Sequence, residues 1–170
     1  MSRVIVLDSI APQGLALLDD ADHIDYEVQT GLAGNALRDA LTQFDGAICR
    51  SGVQLTAEVL ANNKRLKAIV RAGVGTDNID KPMATRLGIV VMNTPTGNTL
   101  RTAEHTFALM LSLSRQVAPA YQSLIEGSWN RKEYMGSQLA GKRLGIVGLG
   151  KIGQEVARRA QAFQMQVVGY

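Results

Sequence analysis

The chain has 170 residues, 46% apolar and 19% charged, with a net charge of +3. That length and apolar content suit one ordinary globular domain or two small or incomplete ones, and they argue against a disordered chain. The positive excess is thin, no run of five Lys/Arg occurs and aromatics are only 5%, so nucleic acid is not an expected partner.

In chain order, residues 4–7 form a short apolar run that reads as a strand ending at Asp8. Pro12 stands where a helix starts, with Leu15, Leu17 and Leu18 as its apolar positions. Residues 26–28 read as a weaker strand, 36–44 as a helix carrying Leu37, Leu41 and Phe44 on one face, and 47–49 as a short strand. Thr56 is placed to cap a helix running to Leu60, and 66–70 is the next strand. Asp80 caps a helix with Pro82 in its first turn, Gly88 ends it, and 89–92 is a fifth strand. Strands that are continuous apolar runs are expected to be buried on both faces. Strand alternating with helix therefore predicts a parallel sheet with helices on both sides, an α/β domain over residues 1–97.

From Leu100 to Ser114 the apolar positions keep helical spacing, and a second helix fits 119–126. Residues 127–140 read as an irregular connection. A strand at 143–147, a helix at 154–163 with Val156, Ala157, Ala160 and Phe163 inward, and a strand at 166–170 follow. Residues 98–170 are thus expected to hold the start of a second, Rossmann-type dinucleotide-binding domain.

Cys49, the single cysteine, has no partner for an internal disulfide, which fits a reduced compartment. The apolar run near Met1 is shorter than the ~7–15 residues of a secretion signal core, and nothing approaches the ~18 apolar residues of a membrane span. A cytoplasmic location with no membrane partner is the expectation. One Cys and two distant His lack metal-ligand spacing, so no metal is expected.

Chemistry is concentrated in two glycine loops. Gly148-Leu149-Gly150-Lys151-Ile152-Gly153 is G-x-G-x-x-G between a strand and a helix, the setting in which the pattern binds a dinucleotide. Gly148 allows the tight turn, Gly150 lets backbone approach a pyrophosphate, and Gly153 lets the helix pack on its strand. The helix N-terminus offers free N–H groups and partial positive charge to the phosphates. An acid that holds the ribose is expected about 20 residues later. Counting from Gly150 reaches Tyr170, the last residue, so the acid and most of a sheet that has six strands in full are expected to lie in a longer protein. The second loop, Gly73-Val74-Gly75, follows a strand. Its amides are placed to form a nest for a carboxylate. Arg50, Ser51 and Arg71 stand at strand ends on the same rim, and Asn98 is placed to add a hydrogen bond.

Three stretches carry a family resemblance: Arg71-Ala72-Gly73-Val74-Gly75-Thr76-Asp77-Asn78-Ile79-Asp80, Val91-Met92-Asn93-Thr94-Pro95-Thr96-Gly97-Asn98, and residues 144–153. Together they resemble the D-2-hydroxyacid dehydrogenases over nearly the whole chain, but only about the first half of such an enzyme. The resemblance implies a flavodoxin-like, parallel-sheet substrate-binding domain over 1–97, followed by an incomplete NAD-binding domain over 98–170. It implies transfer of a hydride from C2 of a 2-hydroxy acid to NAD. The segment from Gly127 through Trp129 and Arg131 to Gly136 narrows the implied substrate to 3-phosphoglycerate and the implied setting to serine biosynthesis. Arg50 and Ser51 match positions near the substrate phosphate. Val74 and Gly75 match the loop that meets the carboxylate and the nicotinamide end, and Asn98 matches a substrate-side position. Thr102 matches a residue near the nicotinamide, and Arg131 a cation that reaches a phosphate across a subunit interface. Gly148, Gly150, Lys151, Ile152 and Gly153 match the pyrophosphate loop of NAD. A homo-oligomer is implied as well. The family's catalytic His, its partner acid and its carboxylate-holding Arg belong to its second half. Neither His23 nor His105 stands in for that base, so no catalytic residue is expected here and the 170 residues alone are expected to be inactive. A non-enzymatic NAD-sensing module of the same superfamily is the alternative.

Overall fold

A computed structural model describes residues 1–170. The chain divides into two compact units, Met1–Gly97 and Asn98–Tyr170.

The first unit alternates β1 (Ser2–Val6), α1 (Pro12–Asp19), β2 (Ile24–Val28), α2 (Gly34–Leu41), β3 (Gly46–Cys49), α3 (Ala57–Leu60), β4 (Ala68–Arg71), α4 (Lys81–Arg86) and β5 (Val90–Asn93). All five strands are parallel, in the order β2-β1-β3-β4-β5. This is the flavodoxin-like order, whose direction reverses between β1 and β3. Local chemistry sets the helix ends. Pro12 opens α1. The Thr56 hydroxyl accepts from the Val59 amide at 3.3 Å, and Asp80 accepts from the Met83 amide at 2.8 Å. Gly88, at φ +70°, ends α4.

The core joins Ile5, Leu37, Leu41, Phe44, Leu55, Leu60 and Ile69, all buried. Below it the Asp45 carboxylate accepts from the Arg3 amide at 2.9 Å and pairs with Arg65 at 3.4 Å. The Arg3 N–H, ahead of Arg65, holds this carboxyl below its ordinary range. Burial of strands on both faces holds at the centre of the sheet and fails at β5. Val91 packs on the core, whereas Val90 and Met92 are 57% and 45% exposed. An edge strand with one covered face leaves alternate side chains out.

The second unit holds α5 (Thr99–Ser114), α6 (Val117–Ile125), β6 (Arg143–Ile146), α7 (Lys151–Ala162) and β7 (Gln166–Gly169). β6 and β7 pair in parallel, giving one βαβ unit. Residues 126–142 contain no helix or strand. Ala103, Phe107, Leu139, Val156, Ala160 and Met165 form the core of this unit. The Phe107 and Phe163 rings stack with centroids 5.2 Å apart. Two boundaries differ from the periodicity. Gln116, left-handed at φ 52°, separates α5 from α6, so α6 starts at Val117. Helix α7 starts at Lys151, within the glycine loop, because Gly150 already caps it.

Candidate functional site

At the reversal between β1 and β3 the strand ends diverge. In open α/β sheets, ligands bind in the crevice beyond such carboxyl ends. Arg50 follows Cys49, and Cys49 lies in register with Arg71, the last residue of β4. Both arginines therefore stand at the same edge of the sheet. The Arg50 and Ser51 side chains are exposed. The Arg50 amide donates to Asp8 Oδ2 at 2.5 Å, and Asn78 Nδ2 donates to the Arg50 and Val53 carbonyls, each at 2.8 Å.

Arg71 is half-buried, and its Nε is fully buried without a hydrogen-bond partner. The loop from Gly73 to Gly75 lies over the guanidinium. A Cβ at Gly73 would come within 2.7 Å of Arg71 Nη1, and one at Gly75 within 2.6 Å of Asp77 Oδ1. A Cβ at either glycine would meet only the far ends of the flexible Arg71 and Asp77 side chains, and neither glycine has a positive φ, so neither a turn nor a backbone clash demands glycine here. The loop is fastened on its far side. Asn93 Nδ2 donates to the Val74 carbonyl at 2.6 Å, and the Thr94 amide to the Gly73 carbonyl at 3.0 Å. The Val74 and Gly75 amides make no hydrogen bond within the protein. A buried cationic donor without an acceptor, beside two free amides, suits a carboxylate or phosphate. Cys49 lies beneath, and burial pushes its thiol up to about 11, so it is no nucleophile at neutral pH.

In the second unit each glycine of the G-x-G-x-x-G loop has a separate physical reason. Gly148 has φ +101°, a conformation a side chain would strain. A Cβ on Gly153 would collide with the Gly148 carbonyl oxygen. A Cβ on Gly150 would meet open space, so the fold itself does not exclude one there. What Gly150 provides is an unobstructed approach to the N-terminus of α7. No side chain caps that terminus. The Gly148 amide donates to the Tyr170 carbonyl at 2.7 Å, which fixes the loop at the carboxyl ends of β6 and β7. Lys151 is exposed, whereas the Ile152 side chain packs against the core and offers only its backbone N–H. These features fit a dinucleotide pyrophosphate.

The remaining positions scatter over both units. Asn98 precedes α5, exposed and without a capping bond. Thr102 is half-buried on α5, and its carbonyl accepts from the Thr106 hydroxyl at 2.8 Å. Arg131 lines a groove of about 700 Å³ with Arg115, Ser123, Trp129 and Tyr134. His105 is exposed on α5. His23 is exposed at the amino edge of the first sheet, where its carbonyl accepts from the Ser2 amide, far along the strands from Arg50. The residues that sequence reasoning missed are Asp8 and Asn78. Their only signal was position, one after β1 and the other in the loop that follows β4.

Residues 4–162 match the family model for the D-isomer specific 2-hydroxyacid dehydrogenase catalytic domain. The chain is 47% identical over 167 residues to a Bacillus subtilis protein named D-3-phosphoglycerate dehydrogenase, covering 98% of this chain and 31% of the relative. A Synechocystis protein of the same name is 43% identical over all 170 residues, 30% of its own length. The chain thus spans about a third of the length of these curated relatives. Among solved structures, the NAD⁺-bound 3-phosphoglycerate dehydrogenase of Entamoeba histolytica superposes with a TM-score of 0.79 at 27% identity. That match covers 99% of this chain and 53% of the other.

Proposed function

The chain belongs to the D-isomer specific 2-hydroxyacid dehydrogenase family, and from that premise we propose that it anchors the substrate and the cofactor pyrophosphate of a cytoplasmic, NAD-dependent dehydrogenase. The proposed reaction oxidises 3-phospho-D-glycerate to 3-phosphooxypyruvate, the step that opens serine biosynthesis. The observation that carries this reading is the rim of the first sheet, with a buried, unpartnered Arg71 Nε beside the free Val74 and Gly75 amides. The names of the relatives support the substrate, and the NAD⁺-bound relative supports the cofactor.

In this reading residues 1–97 are the substrate domain. Arg50, Ser51 and Arg71 hold the phosphate through charge-assisted bonds, and the Val74 and Gly75 amides orient the carboxylate. Residues 98–170 are the cofactor side. Gly150, Lys151, Ile152 and Gly153 present N–H groups to the pyrophosphate, while Gly148, its own N–H held by Tyr170, shapes the turn. The nicotinamide-side role of Thr102 and the substrate-side role of Asn98 are assigned by the family resemblance alone. NAD, when bound, supplies the hydride acceptor. The chain's own residues bind and orient. In this reading neither His23 nor His105 is assigned the hydroxyl proton.

The test is a titration of the 170-residue chain with 3-phosphoglycerate and with NAD, followed by amide shifts. Binding of both at millimolar concentration is expected, without NADH formation, because general base catalysis alone contributes roughly 10²–10⁴ in rate. NAD binding without 3-phosphoglycerate binding would favour the sensing module. Binding of neither would sink the proposal, and NADH formation would overturn the assignment of no base to these residues.

We also propose that α5 and α6 pair with a second copy, with Arg131 serving a phosphate of the partner. Leu109 and Leu113 are 58% and 82% exposed on α5, and Tyr121 and Ile125 are exposed on α6. An exposed apolar surface of this kind marks an interface. Substituting Leu109→Glu with Leu113→Glu is expected to turn a dimer into a monomer by sedimentation velocity. An unchanged profile would refute the assignment.

A further inference from the structure

We infer that Asp8 and Asn78 are positioning residues that clamp the Arg50 peptide from both sides and thereby aim its guanidinium at the substrate anion. The aiming rests on the substrate reading above; the clamp does not. Ladder pairing of β3 with β1 ends at Ile48, and with β4 at Cys49. Arg50 is therefore the first residue past the sheet, at the point where β1 and β3 diverge, and no strand holds its backbone. Side chains replace the missing ladder. The Arg50 N–H goes to Asp8 Oδ2, and its C=O takes one Asn78 Nδ2 hydrogen.

These two side chains arrive from opposite flanks, Asp8 from the end of β1 and Asn78 from the loop after β4. Asn78 is only 5% exposed, so water does not compete for its amide. Its second hydrogen goes to the Val53 carbonyl, and the backbone carbonyl of Asn78 accepts from the Leu55 amide at 2.8 Å, while the side-chain Oδ1 is buried without a partner. The loop 50–53 is thus tethered at its start and at its end, while the Arg50 and Ser51 side chains stay exposed. Gly52 fits the same device. A Cβ there would collide with Asp8 Oδ1, so the loop closes directly over the carboxylate.

The sign of the Asp8 charge separates a positioning role from an electrostatic one. A carboxylate beside an anion-binding arginine repels the anion, and its hydrogen bond to the Arg50 amide is what justifies it. If Asp8 acts by position, removing it weakens anion binding although the site becomes more positive. If it acts by charge, removing it strengthens binding.

The experiment uses the 170-residue chain in four forms: unsubstituted, Asp8→Ala, Asp8→Asn and Asn78→Ala. Each is titrated with 3-phosphoglycerate and with inorganic phosphate, and amide exchange is recorded alongside. Asp8→Ala and Asn78→Ala are expected to weaken binding about 5–10-fold, the worth of one hydrogen bond held in place. Asp8→Asn keeps an oxygen acceptor for the Arg50 N–H and drops the charge, so it is expected to bind at least as tightly as the unsubstituted chain. The Arg50 amide is expected to exchange about tenfold faster in Asp8→Ala and to recover in Asp8→Asn, with Ile69 in the core unchanged. Tighter binding by Asp8→Ala, or an Arg50 amide indifferent to all three substitutions, overturns the clamp. If the unsubstituted chain binds neither anion, the substrate reading fails, and the exchange of Arg50 still decides whether the clamp exists.

Discussion

Gly153→Ala is expected to destabilise the second unit strongly, while Gly150→Ala, three residues earlier, is expected to leave it folded and to remove NAD binding. The first methyl group has nowhere to go. It meets the carbonyl oxygen of Gly148, a backbone atom in a turn held by the Gly148–Tyr170 hydrogen bond. Relief requires moving α7 away from β6, and overpacking of this kind costs about 1–3 kcal/mol. Such a cost is a large share of what a small unit has. At Gly150 the added methyl enters open space. Its cost is confined to the cap of α7, where replacing Gly by a residue without a side-chain acceptor costs at most about 1 kcal/mol. That open space is where a pyrophosphate would approach the helix N-terminus. Thermal unfolding and a titration with NAD separate the two effects. Equal loss of stability in both variants would refute the distinction, and so would normal NAD binding by Gly150→Ala.

The same loop shows what was legible in the sequence and why. Strand–glycine loop–helix is a local pattern, and turn geometry, close approach and an open cap all follow from spacing along one stretch of chain. The alternation of strands with helices was largely readable, because four of the five strands carry a short apolar run; β2, which includes Asp25 and Glu27, showed only as a weaker strand over 26–28. The boundaries that slipped have local causes. Helix α7 hides its first turn in the glycine loop, since its apolar face becomes visible only at Val156. The break before α6 uses Gln116 in a left-handed conformation where a glycine would have announced it. Long-range placement was less accessible. Asp8 and Arg50 are far apart in sequence and meet only because β3 pairs with β1. That Gly73 and Gly75 lie against the Arg71 and Asp77 side chains becomes apparent only once those side chains are placed in space. Strand ends predict which edge of the sheet carries the chemistry, and packing decides which groups there lack partners.

Arg71 is the residue on which stability and binding are expected to move in opposite directions. Its Nε is buried without an acceptor. A buried, unsatisfied charged donor costs the fold free energy, and replacing such a group with an apolar one of similar reach is often neutral or stabilising. Arg71→Met retains a long unbranched stem that reaches under the Gly73–Gly75 loop and presents no donor. The first unit is therefore expected to melt at the same temperature or higher. Anion binding is expected to fall steeply. A hydrogen bond to a charged group contributes about 1.5–3 kcal/mol, so losing one lowers affinity by roughly 10–150-fold, and a two-pronged contact loses more. Arg71→Lys is expected to fall between, since an ammonium keeps the charge and lacks the planar fork. Unfolding curves and a 3-phosphoglycerate titration on the three chains provide the check. If Arg71→Met destabilises the fold by more than about 2 kcal/mol, the guanidinium is structural and its unpartnered Nε is not reserved for a ligand. If the Met variant keeps its affinity, the anion is held elsewhere on the rim and Arg50 must carry it without Arg71.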